Sequence, residues 1–418
     1  MNKRAKLCRA LAVTSVAASS VLIGVTTSGA SPGSIPKGQA VKIGISLSLS
    51  GDFSADGLAF QQGYKLWAAD VNKVGGLLGH QVSLDIASDA SSPTQVVTNY
   101  QKLISSDHVN LTFGPFSSLL TLPAARAVER YGYAMVEGAG GAPSVFAAKL
   151  PNVFDVALPV ANSLAPFATW VSSLPAASRP TTAAYVTSND PFTEPQIPVA
   201  QAIMVKAGIK TVYNHVFPAE TTDYTPIADA VAAAKAQVVV LGSVDVPTVS
   251  AFMQAFEQAH YNPKVFIATA GPDQGAAFVK AVGAANTDGV MVPNSWYGLA
   301  ANPQSLKMVA EYIKANGGTA AGVNADVAEA YAVGQVVAAA VKATGGFDNA
   351  KIIRYLHSGV TITTVLGKVK FDSLGENPYM TAYTFQWQGT KGTSFVQVNP
   401  VGDKNSVKIE FPKPVWGK

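Results

Sequence analysis

From Val41 onward, short β-rich apolar runs alternate with longer segments whose apolar positions recur every three or four residues. Val41–Leu49, Val82–Ala87, Val109–Phe113 and Tyr133–Glu137 predict strands. Between them, Leu58–Val74, Pro93–Ser105 and Leu119–Arg130 carry the helical period, and Phe60, Tyr64, Trp67 and Val71 form one stripe that predicts a core face rather than a ligand surface. A second series keeps the same rhythm. Its strands fall at Thr182–Val186, Thr211–Phe217, Val238–Leu241, Val265–Ala268 and Val290–Val292. Its helices fall at Ser163–Leu174, Pro198–Ala207, Ile227–Lys235, Thr248–Ala259 and Ala276–Val282. Two further helices, Gln304–Asn316 and Ala325–Thr344, precede Lys368–Asp372 and Ala382–Trp387, which predict antiparallel strands. Such alternation is the pattern of an α/β fold with doubly wound, mostly parallel sheets flanked by helices. Two series of this size predict two lobes, with any ligand beyond the carboxyl ends of the strands.

The first forty residues stand outside this rhythm. Lys3, Arg4, Lys6 and Arg9 precede the uncharged, mostly apolar run Leu11–Thr27, and Ser28-Gly29-Ala30 supplies small residues for cleavage. A signal peptide over residues 1–30 is expected, cut near Ala30, followed by a leader over 31–40. A membrane-anchoring helix is the rival reading, weakened by the run's length and its Ser, Thr and Ala content. The one cysteine, Cys8, lies ahead of the apolar run, where a lipoprotein signal does not place it. A chain cut near Ala30 has no cysteine, which excludes disulfides and cysteine-based zinc or redox centres. The 30 Lys+Arg less the four of the signal equal the 26 Asp+Glu, so the remainder is neutral. Nothing in that balance points to nucleic acid or an anionic membrane.

Gly114-Pro115-Phe116-Ser117-Ser118 joins a predicted strand to a predicted helix. Two hydroxyls and the helix's first N–H groups there make a place for a carboxylate or phosphate. Upstream lie Val41-Lys42-Ile43-Gly44-Ile45-Ser46-Leu47-Ser48-Leu49-Ser50-Gly51, Gly57, Gly63, Asn72, Gly75-Gly76, Gly79, Asp89 and Pro93. Downstream come Thr222-Asp223-Tyr224, Gly271-Pro272-Asp273, Asp288-Gly289-Val290 and Glu329-Ala330-Tyr331. In this order the series resembles the branched-chain amino-acid binding family of ABC-importer substrate-binding proteins. The resemblance implies a type I periplasmic-binding-protein fold: two lobes joined by a three-stranded hinge. The first lobe is expected over 41–158 and 296–364, the second over 159–295 and 365–418, with crossings near Leu158–Val160, Pro293–Tyr297 and Thr364–Gly367. It also implies extracytoplasmic capture of a small solute by hinge closure, delivery to an ABC permease, and no cofactor.

Site roles follow from the same resemblance. Ser118 would hydrogen-bond the ligand carboxylate, with Ser117 taking the larger share of helix capping; plain capping by Ser118 is the alternative. Ala139 would offer its carbonyl to an ammonium, whereas Gly141, where the family has a carboxylate-holding threonine, reads as a turn before Pro143. Phe192 would bring an aromatic face from the second lobe, or pack beneath the Pro191/Pro195 loop. The ammonium partner falls on Asp273 or, with a different gap, on Ala270. Asp273 keeps a zwitterion clamp; Ala270 favours a carboxylate without an amine. Asp56, Asp245 and Asp326 fall at or beside side-group contacts, where acids would favour a polar or cationic group; helix capping is the alternative. Trp296-Tyr297, at the second crossing, would wall the cleft or pack the hinge.

Catalysis has little support. The five histidines, His80, His108, His215, His260 and His357, are scattered without metal-ligand spacing, and no Gly-x-Ser-x-Gly elbow occurs. The expected protein is therefore a monomeric binder of a small molecule, with amino acids leading. A non-amino-acid carboxylate or amide, such as an aromatic acid, is the alternative ligand, and a sensory module for a membrane receptor the alternative role.

Overall fold

The computed structural model describes residues 35–298, 302–389 and 394–416; the expected signal peptide and its cleavage site lie outside them. The first series forms β1 (Val41–Leu47), α1 (Ser54–Lys73), β2 (Val82–Ser88), α2 (Pro93–Ser105), β3 (Leu111–Phe113), α3 (Ser118–Glu129), β4 (Met135–Glu137), α4 (Pro143–Ala147) and β5 (Val153–Asp155). Its sheet has the order β2-β1-β3-β4-β5, with every pair parallel. The second series forms α5 (Ala165–Ser173), β6 (Thr182–Ser188), α6 (Gln196–Lys206), β7 (Lys210–Phe217), α7 (Thr225–Ala233), β8 (Val238–Gly242), α8 (Val246–Gln258), β9 (Val265–Ala268), α9 (Ala276–Val282), α10 (Ala284–Thr287) and β10 (Val290–Asn294). After α11 (Pro303–Asn316), α12 (Ala325–Thr344) and α13 (Asn349–Leu356) come β11 (Ile362–Thr364), β12 (Gly367–Val369), β13 (Tyr383–Gln388) and β14 (Ser394–Asn399). The second sheet runs β14-β13-β10-β9-β8-β6-β7. Its β6–β10 part is parallel, and β13 lies antiparallel to both β10 and β14.

Two apolar faces explain the parallel strands. Every residue of β8, Val-Val-Val-Leu-Gly, is buried, as befits a strand covered by helices on both sides. In β1, Val41, Ile43, Ile45 and Leu47 face one core. The intervening Ser46, with Ser48 just beyond the strand, turns hydroxyls onto the buried Asp89 at 2.9 and 2.7 Å.

Helices α1 and α12 approach unusually closely because glycines line their seam. A Cβ on Gly63 would lie 2.3 Å from the Val327 carbonyl oxygen, and one on Gly334 would lie 2.2 Å from the Trp67 ring. This seam sets Asp56, in the first turn of α1, beside Asp326, in the first turn of α12. The predicted stripe Phe60, Tyr64 and Trp67 is buried in that core.

The chain leaves the first sheet after Asp155 and enters the second lobe's core at Leu164. It returns between Asn294 of β10 and Trp296, which packs in the first core. The third passage departs from the expected Thr364–Gly367. The β11–β12 hairpin and Phe371 belong to the first core, and Asn377 still donates to the Val156 carbonyl at 2.9 Å. Only from Tyr383 does the chain pair with the second sheet. Among the described residues no helix is long and apolar enough to cross a membrane.

Candidate functional site

In open α/β sheets a crevice forms where neighbouring connections diverge to opposite faces. In the first sheet that point lies between β1 and β3, and in the second between β6 and β8. A cavity of about 100 Å³ lies there, lined from both lobes. A single water needs only ~10–15 Å³ on this scale, so the space suits one small organic molecule. The first lobe supplies Asp56 after β1, Phe116 and Ser117 after β3, Gly138, Ala139 and Gly141 after β4, and Asp326 and Glu329 from α12. The second supplies Phe192 after β6, Val244 after β8, Thr269, Ala270 and Asp273 after β9, and Asn294 at the end of β10.

One wall is neutral and donor-rich. Ser117 adopts φ 81° and ψ 156°, a left-handed conformation costing of order 1–3 kcal/mol in a residue with a Cβ. Its carbonyl accepts from the N–H groups of Leu120 and Thr121, at 3.2 and 3.0 Å, so the helix starts from its backbone. Among the described residues neither the Ser117 nor the Ser118 hydroxyl has a hydrogen-bond partner, although both are buried. The loop is held from beneath: Tyr64 donates to the Gly114 carbonyl at 3.0 Å, and the Phe116 ring lies 5.9 and 5.6 Å from those of Phe53 and Phe60.

The other wall is acidic. From the second lobe, the Gln274 amide nitrogen donates to Asp56 Oδ1 and, at 3.2 Å, to Asp326 Oδ2 of the first. Asn324 in turn donates to Gln274 Oε1 at 2.8 Å. Ser295 donates to Glu329 Oε1 at 3.1 Å, and the Gly271 N–H donates to Asp273 Oδ1 at 2.9 Å. Behind Ala139 and Gly141 lie Glu137, accepting from the Ala139 N–H at 2.8 Å, and Asp155, accepting from the Ala157 N–H at 2.7 Å. None of the described side chains lining the cavity is Lys, Arg or His.

Burial and like charge push these acids toward their protonated forms. Enclosure raises Asp273 to about 6. Enclosure, and then the Asp273 charge, raises Asp326 to about 7. Burial, helped by the Glu376 charge, carries Asp155 to about 8 against the pull of the Ala157 N–H. Asp56 and Glu329 sit well above the ordinary carboxylate range, first through burial and then through Asp326; Glu137 does so through burial and Asp155.

Several sequence expectations change in position or role. Ser117, not Ser118, lines the cavity, and its hydroxyl makes no capping bond among the described residues. The positive φ takes it out of the extended conformation from which an N-cap side chain reaches the first turn. Asp245 lies off the cavity and caps α8 by accepting from the Thr248 N–H at 2.7 Å. Asn324 rather than Asp326 caps α12. Trp296 and Tyr297 are not among the lining residues: Trp296 packs in the first core and donates to Ser305, whereas Tyr297 packs on Phe385 and donates to the Phe395 carbonyl. Ala139, Gly141, Phe192, Asp56, Asp326 and both alternatives Ala270 and Asp273 do meet at the cavity. At Gly141 a Cβ would lie 2.7 Å from the Leu158 carbonyl oxygen and 2.8 Å from Asp155 Oδ2, so no threonine fits there. Sequence reasoning assigned no role to Glu329, Gln274, Glu137 or Asp155. A signal for Glu329 exists: it is an acid one turn beyond Asp326 in a helix otherwise rich in buried Ala and Val.

The periplasmic binding protein family model matches residues 40–393. The Leu/Ile/Val-binding protein BraC3 of Rhizobium johnstonii is 31% identical over 113 residues, 27% of this chain and 30% of that protein. The Leu/Ile/Val-binding protein homolog 3 of Brucella melitensis is 23% identical over 353 residues, covering 84% of this chain and 92% of that protein. Two solved structures share the fold. The branched-chain amino-acid transporter substrate-binding protein LivJ of Streptococcus pneumoniae, in complex with isoleucine, has a TM-score of 0.73 at 16% identity, covering 86% of this chain and 100% of that one. A solute-binding protein of an ABC transporter from R. palustris, in complex with benzoate, has a TM-score of 0.72 at 19% identity, covering 86% and 95%. With two α/β lobes meeting over one cavity and a family match spanning nearly all of both, this chain belongs to the periplasmic binding protein family, as the resemblance implied.

Proposed function

We propose that this chain captures an α-amino acid between its lobes, outside the cytoplasmic membrane, and hands it to an ABC permease. The observation that carries this reading is the polarity of the cavity: the unpartnered Ser117 hydroxyl at a helix start on one wall, carboxylates on the other. A zwitterion matches both. Its carboxylate would take the Ser117 hydroxyl and the first N–H groups of α3, which favour negative charge. Its ammonium would take Asp273 from the second lobe and the Ala139 carbonyl from the first, both at the cavity. Ligand would dock first on the first lobe, and Phe192 and Asp273 would close over it. The permease then selects the closed form, whose population rises with the ligand's preference for it. The names of the Rhizobium and Brucella relatives, and the isoleucine bound in the pneumococcal protein, agree with this class of ligand.

An aromatic acid is the second reading, favoured by Phe116, Phe192 and Ala270 on the cavity and by the benzoate-bound neighbour. It is the weaker one, because it sets an anion among four carboxylates. A melting-temperature screen of the refolded protein separates the two, since a ligand that binds only the folded form raises the midpoint. Amino acids are expected to raise it and their amine-free counterparts, aliphatic or aromatic, to leave it unmoved. A rise with the amine-free acids alone overturns the amino-acid reading.

A further inference from the structure

One ammonium cannot satisfy this cavity. Four carboxylates line it, Asp56, Asp273, Asp326 and Glu329, with no cationic side chain among the described lining residues. Carboxylates enclosed together repel one another more strongly than they would at a solvated surface. An α-ammonium held at Asp273 leaves the first-lobe pair Asp56 and Asp326 without a cation, so that only a bound proton relieves their repulsion.

That pair also shows what it accepts. A single nitrogen, the Gln274 amide, donates to both carboxylates, so an N–H donor fits between them. The amide carries no charge, however, and Asp56 Oδ2 has no partner among the described residues although the residue is only 3% exposed. A buried carboxylate oxygen without a donor costs stability until something supplies one. The described acids also form no cluster suited to holding a metal ion.

We infer that the ligand bears two cationic centres, an α-ammonium and a terminal amine or guanidinium, and that Asp56 and Asp326 receive the second. This rests on the amino-acid reading for the first centre and the carboxylate. It makes the ligand class basic amino acids rather than branched aliphatic ones.

The test is titration calorimetry of the purified, refolded protein with matched pairs: L-ornithine against L-norvaline, L-lysine against L-norleucine, with L-arginine, putrescine and benzoate beside them. Each basic amino acid is expected to bind at least about tenfold more tightly than its neutral isostere, the effect of pairing a buried charge. In the Asp56→Asn variant that ratio should fall about tenfold or more, while the melting temperature of the unliganded variant rises as repulsion is relieved. A merely structural Asp56 would move the melting temperature and leave the ratio unchanged. Neutral isosteres binding as tightly as the basic ones overturn the inference and leave the amino-acid reading standing. Binding of putrescine without any amino acid overturns both the amino-acid reading and the basic-amino-acid class inferred from it. Binding of benzoate alone, or no binding by any basic probe, overturns the inference as well. The isostere series uses the native chain, so the outcome does not depend on the variant folding.

Discussion

Two buried acidic sites in the first lobe, Asp89 and the Asp56–Asp326 pair, solve the same electrostatic problem in opposite ways. Asp89 accepts from the Ser46 and Ser48 hydroxyls and from the Ser91 N–H, so both its oxygens are satisfied. These donors pull against the burial that raises its pKa. Asp56 and Asp326 share one amide nitrogen, and Asp56 keeps an oxygen free. A saturated acid stabilises the fold; an unsaturated one stores a demand that a ligand can meet. The contrast is visible in neither residue's identity nor its degree of burial, only in the count of donors around it.

The largest effect that sharpens this contrast is that of pH. Asp273 and Asp326, raised to about 6 and 7, bind protons more tightly in the closed fold than in an unfolded chain. Their contribution is fully favourable below about pH 4 and is lost as pH rises through those values, a few kcal/mol in sum. Asp56 and Glu329 on the same wall, and Glu137 and Asp155 behind it, act in the same direction. The lobes can escape this cost by parting, so the ligand-free radius of gyration in solution scattering should grow between pH 4 and 8. A constant radius would show that these acids do not oppose closure.

Next in size, Asp89→Ala should cost about 3 kcal/mol in urea unfolding, because it strands two serine hydroxyls and an N–H in the core. A loss below about 1 kcal/mol would place Asp89 with the unsaturated acids. Ser117→Ala breaks the comparison from the ligand's side. It should weaken a carboxylate ligand about tenfold, the loss of one charge-assisted hydrogen bond, and leave stability nearly unchanged. Equal affinity in calorimetry would remove Ser117 from the site. Smallest is Asp245→Ala, which removes the α8 cap and should cost about 1 kcal/mol without altering affinity.

Elements with long periods were legible in the chain. Helix α12 spans the expected Ala325–Thr344, and α2 the expected Pro93–Ser105. The strand β5 and the helix α13 were not anticipated, since three residues, or eight after Gly345-Gly346, carry too little period to read. The site was legible only in part. The family resemblance pointed to Ala139, Phe192 and either Ala270 or Asp273, all of which line the cavity. What local pattern could not supply was the glycine seam that brings α1 and α12 together, and with it the partnership of Asp56 with Asp326. Nor could it foresee a single positive φ at Ser117, the residue that lines the cavity in place of Ser118.

Phe192 and Val244 belong to the second lobe yet pack against the first lobe's apolar core. Parting the lobes would wet that surface, and closing them dries it. Drying apolar surface lowers the heat capacity. Ligand binding should therefore grow steadily more exothermic as temperature rises, by an amount set by these side chains together with the apolar surface of the ligand itself. Compared between ligands of equal apolar area, the slope of the binding enthalpy against temperature is thus a gauge of how far the two halves travel.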